Sequence, residues 1–307
     1  MKITIDELSE NKRIDLFLSE ILTNISRSKI QSCIKNGKCF VNQKPIKSSY
    51  LVKLGDVVEY NDIVEDIENI YPAEDIPIEI VWEDENMAVV NKPSGMLTHP
   101  TNIEKTGTLV NVLLYKYGDN LSDINGLNRR GIVHRLDRNT SGLIMIAKNN
   151  KTHEYLAQQI KDRAFTKKYI AIVKGNIEKD EFDIDLPIGR HFSQPQKMST
   201  AKNAKDLKES LTKVKVIERL KNATLVELTL ITGRTHQIRV HMASIGHPVY
   251  NDTLYGFGKI KVKTDEQVLQ SYKLKFIKPF TKKEINLEIP YDSKVKRVLE
   301  ILRSPLS

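Results

Sequence analysis

Cysteine is nearly missing from this chain: Cys33 and Cys39 are the two in 307 residues. Their spacing fits neither a disulfide framework nor a CxxC metal or redox site, so both are expected to be buried thiols. Long apolar runs are missing as well. None approaches the roughly 18 residues that a membrane span needs, and Met1–Glu10 has no apolar stretch behind a basic flank. A cytoplasmic protein with no membrane partner is expected. No Walker sequence is present, and the GxGxxG that Gly256-Phe-Gly258 begins fails at Lys261. His236 and His241 are five residues apart, about 140° around a helix, unlike the one-face HExxH arrangement, so no metal site is expected. Neither Ser141 nor Cys33 has an identifiable base and orienting group in sequence, which argues against a serine or cysteine nucleophile. Lys and Arg are absent between residues 61 and 85, where there are ten acids.

What is present is a globular composition, 40% apolar and 28% charged, with a formal net charge of +9. That excess suggests a polyanionic partner, and its distribution is more telling than its total. Residues 12–60 carry a net +5, residues 61–85 a net −10 and residues 86–307 a net +16. Two basic blocks flank an acidic hinge.

In the first block, Ile14, Phe17, Leu18, Ile21 and Leu22 recur at helical spacing. A second helix capped by Ser26 turns Ile30, Cys33 and Ile34 inward and ends at Gly37. A strand at Cys39–Asn42, a turn through Gln43-Lys-Pro-Ile and a last strand after Gly55-Asp56 complete a unit of about fifty residues. So small and basic a unit reads as a binding module. Its elements, Arg13-Ile-Asp15 with Phe17-Leu18, Ser26-Arg27-Ser28, Gly37 before Phe40-Val-Asn42, and Gly55-Asp56, resemble an S4 RNA-binding domain. The family usually turns on Gly where Gln43 stands. Arg13, Arg27, Lys29, Lys35 and Lys38 are the expected RNA contacts of this module. The domain is drawn over residues 1–61, with an acidic linker over 62–77 that contains Pro72 and Pro77.

Residues 78–307 read as the larger domain. The strands are expected around Ile78–Trp82, Met87–Val90, Leu143–Ala147, Lys168–Val173, Lys213–Ile217, Ala223–Leu230, Tyr272–Phe276 and Ile285–Ile289. Helices are expected at Leu113 to Tyr117, Tyr155 to Ile160, Ile238 to Ile245 and Val295 to Leu302. Pro187 to Lys205 reads as irregular. Without regular strand-helix alternation the fold class is α+β, a small S4-like α/β domain beside a larger one built on a largely antiparallel mixed sheet.

The stretch Gly131-Ile-Val-His-Arg-Leu-Asp-Arg-Asn-Thr-Ser-Gly-Leu143 places one carboxylate, Asp137, between Arg135 and Arg138. Turn residues 139–142 make it a loop feeding a strand. An Asp between arginines is more often a structural ion pair than a catalytic group. The surrounding segments change that balance. Val89-Val-Asn-Lys-Pro-Ser-Gly-Met-Leu-Thr-His-Pro100, His134 to Leu143 with Ala147-Lys148, Lys167-Lys-Tyr-Ile-Ala-Ile-Val-Lys-Gly175, Pro187-Ile-Gly-Arg190 and Ile231-Thr-Gly-Arg-Thr-His-Gln-Ile-Arg-Val-His241, running on to Gly246-His-Pro and Tyr255-Gly256, closely resemble a pseudouridine synthase of the RluA/RluD type.

The resemblance implies Asp137 as the catalytic aspartate, Tyr169 as the tyrosine beside the uracil and Arg234 as the arginine paired with the aspartate. Arg135, Arg138 and Arg239 are further expected RNA contacts. Two departures are Asn251, where the family often has Gly before Asp252, and Pro195, where some relatives carry arginine ahead of Lys197-Met198. The implied reaction breaks the N1–C1′ bond of uridine, turns the uracil and joins C5 to C1′. Nothing is gained or lost, so no cofactor, nucleotide or metal is implied, and the carboxylate could act at the sugar, as in a retaining glycosidase, or at the base ring. The implied partner is RNA, large-subunit (23S-type) ribosomal RNA or ribosome-assembly intermediates, acted on by a monomer. The competing reading is a non-catalytic S4-type RNA-binding or ribosome-assembly factor of the same fold.

Overall fold

The computed structural model describes the chain except residues 23–24, 26, 62–70, 257–265 and 305–307 and the side chains of residues 28 and 29. The expected Ser26 cap, the Lys29 contact and most of the expected linker therefore lie outside the described residues. The chain divides into two compact units, Met1–Ile70 and Tyr71–Ser307.

The first unit runs β1 (Lys2–Thr4), α1 (Ile14–Ile21), α2 (Arg27–Lys35), β2 (Cys39–Val41), β3 (Lys44–Pro45) and β4 (Val57–Tyr60), with strand order β1-β4-β2-β3. Ile14, Phe17 and Leu18 from α1 and Ile30, Cys33 and Ile34 from α2 are buried, as the helical spacing demanded. Ile21, at the end of the same stripe, is 43% exposed because α1 stops there. β2 and β3 turn through Asn42 and Gln43 at φ 49° and 63°. Gln43 thus holds the left-handed conformation that glycine adopts more readily. The turn is tied down by Asn42, whose amide donates to Asp56 at 2.8 Å and whose carbonyl oxygen accepts from Val57 N at 2.9 Å.

In the second unit come β5 (Glu79–Glu83), β6 (Met87–Lys92), α3 (Leu109–Tyr117), β7 (Ser141–Ala147), α4 (Asn150–Lys161), β8 (Thr166–Lys174), β9 (Glu181–Asp185), β10 (Ile188–Arg190), β11 (Met198–Ser199), β12 (Lys205–Lys208), β13 (Leu211–Leu220), β14 (Ala223–Leu230), α5 (Gln237–Ser244), β15 (Leu269–Ile277), β16 (Glu284–Glu288) and α6 (Ser293–Arg303). Nine strands form one sheet in the order β5-β6-β7-β15-β8-β14-β13-β9, with β16 also on β15. Every pairing in it is antiparallel except β7 with β15.

Alternate residues of the central strands enter two cores. Val90, Ile144, Ala171 and Val226 pack with Leu109 and Leu113 of α3 and Ile238 and Met242 of α5. Val89, Met145, Ile172 and Leu225 pack with Leu156 of α4 and Val295, Val298, Leu299 and Leu302 of α6. A sheet covered on both faces explains why β7 is buried at every residue instead of alternating. Burying each aliphatic of α6 contributes about 1.5–3 kcal/mol.

Two stretches differ from expectation. Most of the small sheet β11-β10-β12 falls within Pro187 to Lys205, expected to be irregular; its strands are too short and, over Lys205–Lys208, too exposed to show a period. The expected linker runs through residue 77, yet its last residues bond to the second unit: Glu74 N donates to Asn111 O at 3.0 Å, and Asn111 Nδ2 donates to Pro72 O at 2.8 Å. Among the described residues no helix is long and apolar enough to cross a membrane.

Candidate active site

Asp137 stands in the loop before β7, and the loop is fixed on both sides of it. Thr98 Oγ1 donates to Leu136 O at 2.8 Å and accepts from Leu136 N at 3.3 Å. On the other side, the fully buried Lys92 donates to Arg138 O at 3.0 Å while also donating to Pro93 O and Met96 O, each at 2.8 Å. Burial pulls the Lys92 amine down to about 7, against the charges of Asp137 and Glu266 that hold it up. The turn closes with Thr140 N on Asp137 O at 3.1 Å, and Gln267 Nε2 donates to Thr140 Oγ1 at 2.9 Å. Three side chains from two separate stretches, Lys92 and Thr98 from one and Gln267 from the other, thus immobilise the backbone that carries one carboxylate.

That carboxylate meets Arg239, whose Nη1 donates to Asp137 Oδ2 at 3.3 Å. Arg239 is also gripped bidentately by Asp252, through Nε at 2.7 Å and Nη2 at 2.9 Å. Asp252 Oδ1 accepts in addition from the backbone N–H groups of Leu254 and Tyr255, at 2.9 and 3.0 Å. The guanidinium lies 5.1 Å from the Tyr255 ring. Burial opposes the charge of Arg239, but its two carboxylates outweigh burial and raise its pKa. In Asp252 burial likewise opposes ionisation, and Arg239 overrides it to lower the pKa. Asn251 holds φ 58°, which asparagine accepts where glycine is common.

The pairing of Asp137 corrects the expectation that Arg234 would be its partner. His236 adopts φ 56° and caps α5, so the helix begins only at Gln237. Arg239 falls in its first turn, buried and turned to Asp137 and Asp252, while Arg234 stays in the loop before it, exposed, with Nε donating to Glu209 O at 3.1 Å. The same geometry corrects Arg239 as an RNA contact, since its guanidinium is buried and engaged by two carboxylates. Arg135 is exposed at the edge of the cleft, and Arg138 pairs with Glu104 at 2.5 Å.

Tyr169 sits in the middle of β8, opposite Leu228 of β14 and Ser271 of β15. It is 5% exposed and lines the same cleft of about 520 Å³ as Asp137, Arg239 and the 231–237 loop. Burial, and secondarily the charge of Asp137, pushes its phenol up, so Tyr169 is neutral at physiological pH. At the rim, Tyr255 OH is 2.8 Å from His236 Nδ1 and accepts from Met198 N at 2.8 Å. Burial lowers the pKa of His236 more than Asp137 raises it. Lys92, Thr98 and Tyr255 lie inside the segments singled out in the sequence, and Asp252 between two of them. Their roles depend on contacts with residues distant along the chain, which spacing does not reveal.

In the first unit, Arg13 and Arg27 both bind the buried Asp15. Arg13 does so bidentately at 3.0 Å and Arg27 through Nε at 3.1 Å and Nη2 at 3.0 Å. Gln31 Nε2 adds a bond at 2.5 Å. Burial would raise the Asp15 carboxyl, but the hydrogen bonds from Arg13, Gln31 and Arg27 win and bring it down to about 2. Lys35 and Lys38 are exposed.

The nine-stranded sheet and its loops thus place a clamped aspartate, a buried arginine and a strand tyrosine around one cleft. Family comparison gives the class: residues 86–244 match the RNA pseudouridylate synthase family and residues 12–58 the S4 domain. The chain belongs to the RNA pseudouridine synthase family. The RNA pseudouridine synthase YlyB of Bacillus subtilis is 40% identical over 98% of this chain and 97% of its own length. The ribosomal large subunit pseudouridine synthase D of Zymomonas mobilis is 37% identical, covering 95% of this chain and 94% of its own. Among solved structures, human RNA Pseudouridylate Synthase Domain Containing 1 shares the fold over 76% of this chain and 98% of its own, with a TM-score of 0.59 at 24% identity.

Proposed function

We propose that this protein isomerises uridine to pseudouridine in large-subunit ribosomal RNA, with Asp137 as the catalytic carboxylate and the S4 unit as an RNA-holding module. The observation that carries the chemistry is Asp137 itself, fixed through its backbone by Thr98 and Lys92, paired with Arg239 and still 19% exposed to the cleft. The choice of RNA is supported by the names of two relatives, the ribosomal large subunit pseudouridine synthase D of Zymomonas mobilis and that of Vibrio parahaemolyticus, the latter 33% identical over 98% of this chain.

A uridine inside a helix must be flipped out to reach such a cleft. The neutral ring of Tyr169 gives its uracil a face to stack on, worth about 1–3 kcal/mol. Arg239 holds the carboxylate oriented, and Asp252 holds Arg239. The carboxylate then attacks C1′ and the N1–C1′ electrons pass to the uracil, or it adds to the uracil ring before that bond breaks; in both routes negative charge accumulates on the base. C5 finally takes C1′, N1 gains a proton and C5 loses one. This needs no metal, nucleotide or redox partner.

The test maps pseudouridines in large-subunit and transfer RNA from cells with and without the protein. A ribosomal site should vanish with the gene and return with the wild type, and Asp137→Asn should not restore it. Unchanged pseudouridines with accumulating assembly intermediates would support the non-catalytic factor instead.

A further inference from the structure

β8 presents two side chains to the cleft two positions apart, Lys167 and Tyr169, as strand alternation requires. Lys168, on the opposite face, is paired with Glu227 at 2.8 Å. Lys167 has no such partner. It is 8% exposed, its ammonium lies 5.5 Å from the Phe165 ring, and a Cβ placed on Gly233 would stand 3.5 Å from it. Among the described residues no carboxylate or carbonyl accepts a hydrogen bond from it. Burial pulls the amine down to about 8 with no anion to oppose it, and burial and the Lys167 charge together keep the nearby His134 neutral. A buried cation with unused donors is costly unless something else in the cleft completes it.

The reaction supplies what Lys167 lacks. We propose that Lys167 is a further catalytic residue, donating to a carbonyl oxygen of the flipped uracil and stabilising the negative charge that the base carries while the N1–C1′ bond is broken. This rests on the isomerase reading above. The carboxylate-to-C1′ bond forms as the N1–C1′ pair moves onto the ring, where it spreads to the carbonyl oxygens. Lys167 keeps its protons and gives only a hydrogen bond. When C5 bonds to C1′ the carboxylate leaves, a proton departs from C5 to solvent and N1 takes one up. If the carboxylate adds to the ring first, the charge falls on the same oxygens and the same donor meets it. Its placement beside Tyr169 suits this role, because a base stacked on the tyrosine has its edge within reach of the next inward-facing residue of the strand.

The experiment compares wild type, Lys167→Met and Lys167→Gln on one RNA carrying uridine at the mapped target, and on the same RNA carrying 5-fluorouridine there. The single-turnover rate of N1–C1′ cleavage is measured at saturating RNA, with RNA affinity measured separately. Fluorine makes the uracil a better leaving group that needs less help. Both variants are expected to lose about 10²–10³-fold in rate on uridine, as loss of an oxyanion donor does, with a deficit at least tenfold smaller on 5-fluorouridine and affinity within about threefold of wild type. Lys167→Gln, neutral but polar, carries the comparison if the Met variant melts early. An equal deficit on both bases, or a loss confined to affinity as a phosphate contact would give, overturns the proposal. A wild type inactive on every RNA would instead overturn the isomerase reading and this inference with it.

Discussion

Among the described residues, each unit of this protein holds a cluster in which three carboxylate and guanidinium groups meet around a buried one, and the two clusters are built in opposite proportion. In the N-terminal unit two arginines share the fully buried Asp15, and both guanidinium side chains stay more than 40% exposed. In the larger unit two carboxylates share the buried Arg239, and the one left partly open is Asp137. The first cluster has a surplus positive charge facing water, the second a surplus negative charge facing a cleft. On the proposed function, the same ion-pair chemistry serves as a surface for phosphates in one place and as a nucleophilic or charge-stabilising group in the other. What a cluster leaves uncompensated, more than what it contains, indicates what it is for.

The sharpest way to break this comparison is to remove the surplus negative charge. Asp137→Asn should lower turnover about 10⁴-fold or more, as loss of a catalytic group that acts in a unit does. RNA affinity and melting temperature should stay near wild type. A folded, RNA-binding Asp137→Asn protein that isomerises uridine at near wild-type rate would end the catalytic assignment.

Arg239→Met removes the shared cation and leaves the buried Asp252 and the partly open Asp137 without it. Denaturant unfolding of the full chain should show a loss of about 3–5 kcal/mol, the range for stripping one member from a buried pair. Arg234→Met should be nearly neutral in the same measurement, and equal losses would restore Arg234 as the partner.

This pair of variants also marks the limit of what the sequence showed. Arg234 and Arg239 are both in the stretch 231–241, and their roles depend on which of them lies in the helix. The left-handed His236 decides that by starting α5 at Gln237. The helical faces of α1, α2 and α6 were legible because burial there follows a 3.6-residue period. The Asp137 loop was legible from its turn residues and the strand behind it. The sheet of β10, β11 and β12 was not, since such short segments have no room for a pattern. The clamp by Lys92 and Thr98 was not either, because it joins residues far apart in the chain.

Acid separates the clusters by a milder route. Asp15 has a folded pKa of about 2 against an ordinary value of 3.8, so its contribution to stability is present above the ordinary value and is lost as pH falls through about 2. Melting of the N-terminal unit within the full chain should therefore decline across roughly pH 4 to 2. In Asp15→Asn that decline should be shallower, starting from a less stable protein. An unchanged acid profile in the variant would show that Asp15 does not anchor the two arginines.

The smallest effect concerns two exposed lysines of the same unit that stand outside the Asp15 cluster. Lys35→Ala with Lys38→Ala should flatten the dependence of log affinity on log salt by about 0.7–0.9 for each phosphate that the protein no longer neutralises, with turnover at saturating RNA unchanged. An unaltered slope would take these lysines out of the RNA-binding face.

The strand order has a consequence for when the protein becomes active. β7, which follows Asp137, and β8, which carries Tyr169, are not neighbours; β15, beginning at Leu269, lies between them and pairs with both. Gly142 permits this insertion, since a Cβ there would lie 2.0 Å from Ser271 O. A nascent chain that has already emerged beyond β8 holds Asp137 and Tyr169 but lacks Arg239 and the strand that sets the separation of the other two. At about 5–20 residues per second of synthesis, the wait for β15 is on the order of 5–20 s. The site is therefore assembled late, by a distant piece of the chain, after the N-terminal unit has had time to fold and engage RNA.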